Sequence, residues 1–310
     1  QVVAGGRLWT SRYLKKLPDR EPIKYSYAIC QHCGRYRSSI ADIQDDLDVC
    51  ICGERVGRNK GTFITPEFGF IAGPPAVPGM TRPQKSYSTR KFFSQAGNVE
   101  REQSLELGEI KIMLLTGTDG KLAVINNAGQ RGFKICNSCG YAEINSYKPI
   151  GNHKTPWGKD CKGRSTQVSL GYEFKTDILQ LWFPDYYRND EGFWESLLYG
   201  FLEGVCSALD IDRQDIDGTL FPYNGNKLSP AIVLFDDVPG GAGHVKRIAE
   251  GNNLQNVTSR AQQIVSRCEC GGEQANSSCY GCLRSYSNQY CHDILNRRYV
   301  IDFLSKLVSK

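Results

Sequence analysis

The cysteines are the residues whose type and spacing most clearly indicate a chemistry. The chain of 310 residues contains 13 of them, most in pairs separated by one or two residues. Two thiolates at that spacing can face one metal ion, as they do in zinc knuckles. An odd number of closely paired cysteines does not fit the disulfide framework of a small secreted domain. We therefore predict a reducing, cytoplasmic setting and cysteines that mostly bind metal.

The cluster nearest the C-terminus has the sharpest metal-ligand spacing. Cys268 and Cys270 are followed, after eight residues, by Cys279 and Cys282. Four thiolates joined by a loop rich in Gly, Ser and Asn can surround a single tetrahedral ion. Because four sulfur ligands leave no position for water, the predicted role of this zinc is structural. A [4Fe–4S] cluster is the alternative that the same ligands leave open.

A second cluster lies near the N-terminus. Cys30 and Cys33 are separated by 16 residues from Cys50 and Cys52. This is the layout of a zinc ribbon or finger, although the second pair has one spacer residue where two are commoner. We predict a second zinc ion here.

A third cluster, in the middle of the chain, is less regular. Cys136 and Cys139 precede His153 and Cys161. Three cysteines and one histidine are a known structural zinc set, and His153 supplies the nitrogen ligand. Two free cysteines beside an unrelated pair are the alternative. We therefore predict two to three zinc ions in all.

A glycine-rich turn follows a short apolar segment, residues 231–235. Gly240, Gly241 and Gly243 leave the backbone open, and a following helix would direct free N–H groups at an anion. The sequence thus predicts either an anion-binding turn or a tight strand-to-helix connection. The turn lacks the Lys–Ser/Thr ending of a Walker A loop and the dinucleotide-binding fingerprint.

Basic and aromatic residues are concentrated in the N-terminal part of the chain. The net charge is +5, and residues 1–100 carry 15 Lys and Arg against 9 Asp and Glu. Basic side chains next to aromatic ones can bind phosphates and stack on the bases of a single strand. A solvated basic face without a partner is the alternative. The candidate nucleic-acid-binding residues are Arg82, Lys85, Tyr87, Arg90, Lys91 and Phe92.

The elements that must position these residues differ between the two halves of the chain. Apolar residues at three- and four-residue steps predict helices over residues 191–209, 257–267 and 292–308, and the segment from the glycine turn to Glu250 is a further candidate helix. Residues 231–235 predict a buried strand.

Residues 106–182 are predicted to be rich in β-structure. Short apolar runs at 110–115 and 122–125 are joined by Gly-Thr-Asp-Gly-Lys, which predicts a hairpin. Residues 168–174 and 178–183 are two further candidate strands.

Together these elements predict the α+β class, a mixed α/β core with small cysteine-rich zinc ribbon or finger modules attached. We expect three domains: a basic segment with the first zinc module (1–80), a β-rich region with the Cys3His insertion (81–187), and a helix and strand core with the four-Cys module (188–310). No apolar run is long enough for a membrane span, so we predict no membrane partner. The sequence begins without Met, which suggests a longer parent protein.

Several segments resemble one known family. Three segments are similar to the MrfA-type zinc-binding (MZB) domain. They are Phe-Asp-Asp-Val-Pro-Gly-Gly-Ala-Gly-His-Val-Lys-Arg-Ile at 235–248, the cysteines at 268–282, and the spacing of His292, Leu295 and Arg297. That domain occurs at the C-terminus of superfamily 2 DEAD/DEAH-type DNA helicases and in DrmB, the helicase-partner subunit of the DISARM antiphage system. The resemblance implies that Cys268, Cys270, Cys279 and Cys282 bind zinc.

The resemblance also implies a setting, because the family acts beside helicase motors in DNA repair or phage defence. This chain carries no motor motifs, so we expect a non-catalytic accessory domain. Its expected partners are DNA and a superfamily 2 motor, either fused or separate and DrmA-like. Two alternatives stay open: a metal-dependent nuclease using Asp236, Asp237 and His244, and a protein-docking module that does not bind DNA.

Overall fold

The structure is a computed structural model that describes residues 2–4, 7–9, 11–16, 21–40, 47–57, 59–73, 89–128, 132–144 and 150–307. Within these residues, fifteen strands precede the first α-helix, and two more strands lie between it and the two α-helices nearest the C-terminus. The strands are β1 (Val2–Ala4), β2 (Arg7–Trp9), β3 (Ser11–Leu14), β4 (Lys24–Ile29), β5 (Tyr36–Ile40), β6 (Lys60–Ile64), β7 (Phe70–Ala72), β8 (Thr89–Gln95), β9 (Asn98–Leu107), β10 (Ile110–Asn126), β11 (Phe133–Cys136), β12 (Ala142–Ile144), β13 (His153–Lys154), β14 (Asp160–Cys161), β15 (Ser165–Trp182), β16 (Ile216–Phe221) and β17 (Ala231–Asp236). The helices are α1 (Phe193–Leu209), α2 (Asn253–Arg267) and α3 (Arg297–Leu307).

One large sheet is built around the longest strand, β15. Its 18 residues pair antiparallel with β10, β11 and β17, and parallel with β6 over Ser169↔Phe63 and Leu170↔Ile64. From β6 the sheet continues through β4 to β5, and from β17 to β16. The small pairs β1–β2, β3–β7 and β13–β14 lie outside this sheet. Because β15 pairs with β11 and, through β6, is linked to β4, it fixes the relative positions of the middle and N-terminal cysteine clusters.

The hairpin predicted at residues 117–121 is wrong, since β10 continues through them as one strand of 17 residues. The Gly-rich stretch is a β-bulge between Gly117 and Gly120, and both flanking halves stay paired with β15. β8 and β9 pair with successive parts of β10, and their junction at Gly97 lies beside the bulge. A Cβ on Gly120 would stand 2.3 Å from Ile178 Cγ2, so glycine here permits close packing and not chain reversal.

The strands predicted separately at 168–174 and 178–183 also form a single element, β15. The polar residues that separate the two apolar runs include Thr176 and Asp177. Both are buried, with 1% and 6% of their surface exposed. Thr176 Oγ1 donates to the carbonyls of Asp236 and Val238, at 2.8 and 2.9 Å. These polar residues therefore mark a buried contact and not the end of a strand.

The main core lies between the sheet and the three helices. Leu114 and Leu181 of the sheet pack with Phe201 of α1 and Phe303 of α3, all almost fully buried. α1 approaches α2 closely at Gly204, where a Cβ would stand 2.5 Å from the Val257 carbonyl oxygen. The apolar stripe that predicted α1 thus covers one face of the sheet, as such a stripe should.

Several predicted helices differ from the structure in their bounds or type. The helix predicted over 257–267 begins four residues earlier, at Asn253. The helix predicted from residue 292 begins at Arg297, because the amides of Arg297 and Arg298 donate to the carbonyls of Ser277 and Ala275. These bonds tie its first turn to the preceding cysteine loop. The segment after the glycine turn is a short 3-10 helix, Val245–Ala249, where a longer helix was predicted.

The architecture confirms the predicted class, a mixed, sheet-rich α+β fold with attached cysteine modules. Strands from all three predicted domains share the large sheet, and the boundaries near 80 and 187 stay a prediction. In the described part of the chain, no helix is both long and apolar enough to cross a membrane.

Candidate zinc centres and the adjoining cleft

The C-terminal cluster forms a compact four-sulfur set between α2 and α3. The Sγ atom of Cys268 lies 3.4 Å from that of Cys270 and 3.5 Å from that of Cys279. The Sγ atom of Cys282 lies 3.7 Å from that of Cys270 and 3.9 Å from that of Cys279. A tetrahedral zinc ion with bonds of about 2.3 Å places its sulfurs roughly 3.8 Å apart, so one ion fits this set.

Backbone amides and a buried arginine hold this cluster in shape. The amides of Cys279 and Gly281 donate to the sulfurs of Cys282 and Cys279, both at 3.3 Å. Arg297, 4% exposed, donates to the carbonyls of Cys270 at 2.7 and 3.0 Å and Val265 at 2.9 Å. The guanidinium therefore joins the metal loop to the end of α2, a supporting role typical of residues around a metal site.

The N-terminal cluster brings together the loop after β4 and the turn at residues 50–53. Its sulfur atoms lie 3.7 Å apart for Cys30 and Cys52 and 3.5 Å apart for Cys33 and Cys50. All four ligand atoms lie within 4.8 Å of one another. Gly34 and Gly53, which follow the two pairs, have φ values of 77° and 86°, as the tight turns around such a site require.

The middle cluster is the predicted Cys3His set, and its histidine is oriented for a metal. Cys136 and Cys161 have their sulfurs 3.8 Å apart, and the ligand atoms of Cys139 and His153 complete the group within 4.8 Å. The Nδ1 atom of His153 lies 3.0 Å from the carbonyl oxygen of Gly151. Its Nε2 atom is buried with no hydrogen-bond partner. Donation from Nδ1 leaves the Nε2 lone pair free, which is the arrangement of zinc-binding histidines.

In the middle and N-terminal clusters, the protein environment already favours the thiolate form of one cysteine. Burial raises the pKa of Cys136, but N–H groups of Cys139 and Ser138 lower it more, to about 6. The same balance of burial against N–H donation lowers the pKa of Cys30 to about 7. Burial raises the pKa of Cys33 and of Cys139 to about 12. These thiols require a bound cation to ionise at neutral pH.

Each of the three groups can therefore hold one zinc ion, and the donor sets suit zinc as a structural metal. All three are closed sets of four protein ligands. Zinc in such a site clamps the polypeptide and offers no open position to a substrate. The remaining cysteines, Cys206 and Cys291, lie outside these groups, and burial raises their pKa to about 11 and about 12.

The glycine turn is occupied by carboxylates of the chain itself. Asp236, 0% exposed, accepts from the amides of Ala242 at 2.6 Å, His244 at 3.1 Å and Val245 at 3.0 Å. Asp177 accepts from the amide of Gly243 at 3.1 Å.

The other two glycines of the turn also have internal partners. The amide of Gly240 donates to the Lys175 carbonyl at 2.8 Å, and that of Gly241 to the Val238 carbonyl at 3.1 Å. The structure therefore favours the tight strand-to-helix connection, while an external anion at Gly240, Gly241 and Gly243 stays a prediction.

A cleft of about 530 Å³ separates the N-terminal zinc module from the helical half. β8 lines one wall with Arg90, Lys91 and Phe92, and α1 contributes Glu195 to another. The guanidinium carbon of Arg90 lies 5.1 Å from the ring centre of Tyr290 and 5.9 Å from that of Phe92. Cation–π contacts of this kind hold the exposed Arg90 at the mouth of the cleft, where its charge also interacts with the Glu195 carboxylate.

The candidate nucleic-acid-binding residues are thus only partly brought together. Arg90, Lys91 and Phe92 share the cleft, but the Nζ of Lys91 lies 2.9 Å from an oxygen of Asp217 and 2.6 Å from one of Asp237. Its charge is therefore already neutralised. Arg82, Lys85 and Tyr87 lie outside the described residues.

Sequence reasoning missed two parts of this region. The cleft residues Glu195 and Tyr290 had no local signal, because they reach β8 only through the tertiary fold. The Asp177 and Asp236 carboxylates were also missed as internal anions, although acidic residues next to a run of glycines could have suggested that pairing.

Comparison with known families now adds an independent result. Residues 197–283 match the family described as the MrfA Zn-binding domain, MZB. This segment runs from α1 to the last ligand of the C-terminal cluster. This part of the chain is similar to the MZB domain. The match confirms the resemblance seen in the sequence, and MZB is a zinc-binding domain.

The chain is also similar to individual proteins. It is 28% identical over 229 residues to Druantia protein DruE of Escherichia coli (strain UMEA 4076-1). This match covers 62% of the chain. The chain spans only 12% of the length of that relative.

Solved structures of one helicase are also similar. The DUF1998 helicase MrfA bound to DNA shares 16% identity over 72% of this chain and 26% of its own, with a TM-score of 0.38. The same helicase bound to DNA and AMPPNP shares 13% identity over 72% of this chain and 23% of its own, with a TM-score of 0.30. Scores this low do not show a common fold.

Proposed function

We propose that this chain is a non-catalytic, zinc-clamped module of a DNA helicase system that binds a DNA strand and docks to a superfamily 2 motor. The similarities to the MZB domain and to a Druantia protein support the helicase-associated, antiphage setting. We also propose that the chain acts in the cytoplasm, that its motor is DrmA-like and that it belongs to a DISARM system. The motor is either fused to this region or a separate subunit.

The placement of Arg90 is the observation that carries the DNA-binding part. Its guanidinium lies between two aromatic rings at the mouth of a cleft large enough for a nucleotide. An arginine stacked on aromatic rings keeps its planar fork of N–H donors for a phosphate. Tyr290, 45% exposed, adds an aromatic face on which a base can stack, whereas the ring of Phe92 is already stacked on that of Tyr36 and supports Arg90. Arg90 forms no ion pair among the residues that the structure describes.

Lys91 has a different role in this proposal. It lies between two carboxylates and is about one seventh exposed, so it supports the wall of the cleft and does not contact phosphate. A charge reversal at Lys91 would place three carboxylates together and disturb the fold. The test of DNA binding is therefore made at Arg90 alone.

The decisive experiment compares Arg90→Glu with the parent chain in binding to a fluorescein-labelled single strand. We expect affinity to fall on the order of tenfold or more, and the dependence of log affinity on log salt to lose about one unit of slope. Arg260→Glu makes the same charge change on the exposed face of α2 and should leave binding unchanged. Zinc content should be equal in all three proteins.

Failure would take two distinct forms. If the parent chain does not bind DNA even at low salt, the protein-docking alternative is correct. If it binds but Arg90→Glu binds equally well, DNA lies elsewhere on the chain. The structure gives the nuclease alternative no support, because Asp236 is fully buried and bonded to amides, and Asp237 is paired with Lys91.

A further inference from the structure

The β13–β14 hairpin presents the most exposed large apolar side chain of the described residues. Trp157, at the tip of this hairpin, is 80% exposed. Burying an aromatic ring of this size is strongly favourable, so an exposed tryptophan on an ordered turn needs an explanation. Neither the zinc sites nor the cleft uses it.

The turn that carries Trp157 is tightly bonded. The amide of Thr155 donates to the Lys159 carbonyl at 2.7 Å, and the amide of Gly158 donates to the Thr155 carbonyl at 3.0 Å. Gly158 has a φ of 82°, which a residue with a side chain rarely adopts. Pro156 precedes the tryptophan and fixes its own φ. The ring is therefore presented from a backbone that has little freedom left to lose on binding.

The base of the hairpin is the middle zinc site. His153 and Cys161 face each other across the two strands, and both belong to the Cys3His set. The ring of Tyr141 stacks on that of His153 with centres 4.8 Å apart, and Tyr13 donates to the Lys154 carbonyl at 3.0 Å. A bound metal would therefore join the two strands directly beneath the exposed tip.

The surroundings of the tryptophan are basic. Lys154, Lys159, Lys162 and Arg164 are exposed, against a single acid, Asp160. None of the four cations forms an ion pair with a described residue. An apolar partner surface would not need this charge, whereas a phosphate backbone does. Aromatic rings beside basic groups are the usual means of binding single-stranded nucleic acid without sequence preference.

We propose that the β13–β14 hairpin is a second, metal-held contact for single-stranded DNA, in which Trp157 stacks on a base and the flanking lysines contact phosphates. This proposal rests on the DNA binding proposed above, but on different residues and a different zinc site. It assigns the middle zinc ion the task of holding the hairpin.

The test measures binding of an oligothymidylate by the full chain and by Trp157→Ala. A stacked base contributes enough that we expect a loss of roughly five- to a hundredfold in affinity. Trp157→Phe keeps a ring and should retain most of the affinity. Tyr187→Ala removes another exposed aromatic side chain, 58% exposed, outside the hairpin and the cleft, and should have no effect.

Intrinsic fluorescence gives a second readout that a fold defect would not mimic. Stacking on a base should quench the parent chain on titration with the oligonucleotide, and this quenching should be much smaller for Trp157→Phe. Lys159→Ala should reduce the salt slope by about one unit. Equal zinc content in all variants shows that the site beneath the hairpin is intact.

Each outcome separates this inference from the proposed function. If Trp157→Ala binds DNA as the parent does while Arg90→Glu does not, the hairpin proposal is overturned and the cleft stands. If Trp157→Ala keeps DNA binding but loses association with a helicase motor, the hairpin is a protein-docking element and the proposal is overturned. If Trp157→Ala loses DNA affinity but Arg90→Glu does not, the result supports the hairpin as a DNA contact and excludes the cleft as one.

Discussion

Asp236 shows how the environment of a single residue decides between a structural and a chemical role. Next to Asp237 and His244 in the sequence, it resembles part of a metal-dependent active site. In the structure it is fully buried, and its two oxygens accept three backbone N–H groups from the glycine turn. Charged hydrogen bonds of this kind are strong, so the carboxylate orders the turn.

Asp236→Asn should therefore destabilise the protein. The amide has one acceptor oxygen in place of two, and its own NH2 group would face N–H donors, for a cost on the order of 3 kcal/mol. The midpoint of urea unfolding should fall, while Asp185→Asn, on an exposed residue, should leave it unchanged. A normal midpoint combined with the loss of a Mg²⁺-dependent cleavage of DNA would contradict this reading and favour the nuclease alternative.

The metal ligands were largely predictable at the residue scale. Spacing alone grouped Cys268, Cys270, Cys279 and Cys282, because ligands close in sequence can reach one ion without contacts from distant parts of the chain. His153 was also predicted as the fourth ligand of the middle site, but its orientation needed the structure. The unpartnered Nε2 of His153 and its fixed Nδ1 are properties of a folded hairpin that no spacing reveals.

At the scale of elements, the sequence predicted helices better than strands. The stripe that gives α1 is local, and its predicted span of 191–209 differs from Phe193–Leu209 by two residues. Glycines at 117 and 120 were assigned to a turn because a local pattern cannot show that β15 continues alongside. The same limit applies to Thr176 and Asp177, whose polar side chains have buried partners far away in the chain.

The β13–β14 hairpin provides a test of an element held by metal. His153→Ala should lower the zinc content from three ions per chain to two, as measured by plasma mass spectrometry, because three thiolates do not complete a closed structural site. His153→Cys restores four ligands and should bring the content back to three. Three ions in the alanine variant would show that His153 does not bind the metal.

On the scale of the whole molecule, zinc is predicted to be a main source of stability. A structural zinc site contributes on the order of 10 kcal/mol of apparent folding free energy, which is comparable to the whole free energy of unfolding of a typical domain. Removal of zinc by a strong chelator should therefore abolish the cooperative thermal transition, and excess zinc should restore it. Reductant without chelator is the control and should change nothing, because the cysteines form no disulfides among the described residues.

The same experiment has a defined dependence on pH. Zinc requires thiolates, so its release is coupled to proton uptake by the cysteines and becomes easier as the pH falls. The chelator concentration needed for unfolding should therefore be lower at mildly acidic pH than at neutral pH. A transition that persists without metal at every pH would show that the core beneath the helices is sufficient for folding.

The continuity of β15 also has an evolutionary consequence. Its 18 residues extend roughly 60 Å, with the middle zinc site at one end and the strand next to the glycine turn at the other. Deleting one residue within it would turn every following side chain to the opposite face, and deleting two would shift the far module by about 7 Å. Length variation among relatives should therefore accumulate in the connecting loops, while the number of residues in β15 should stay constant.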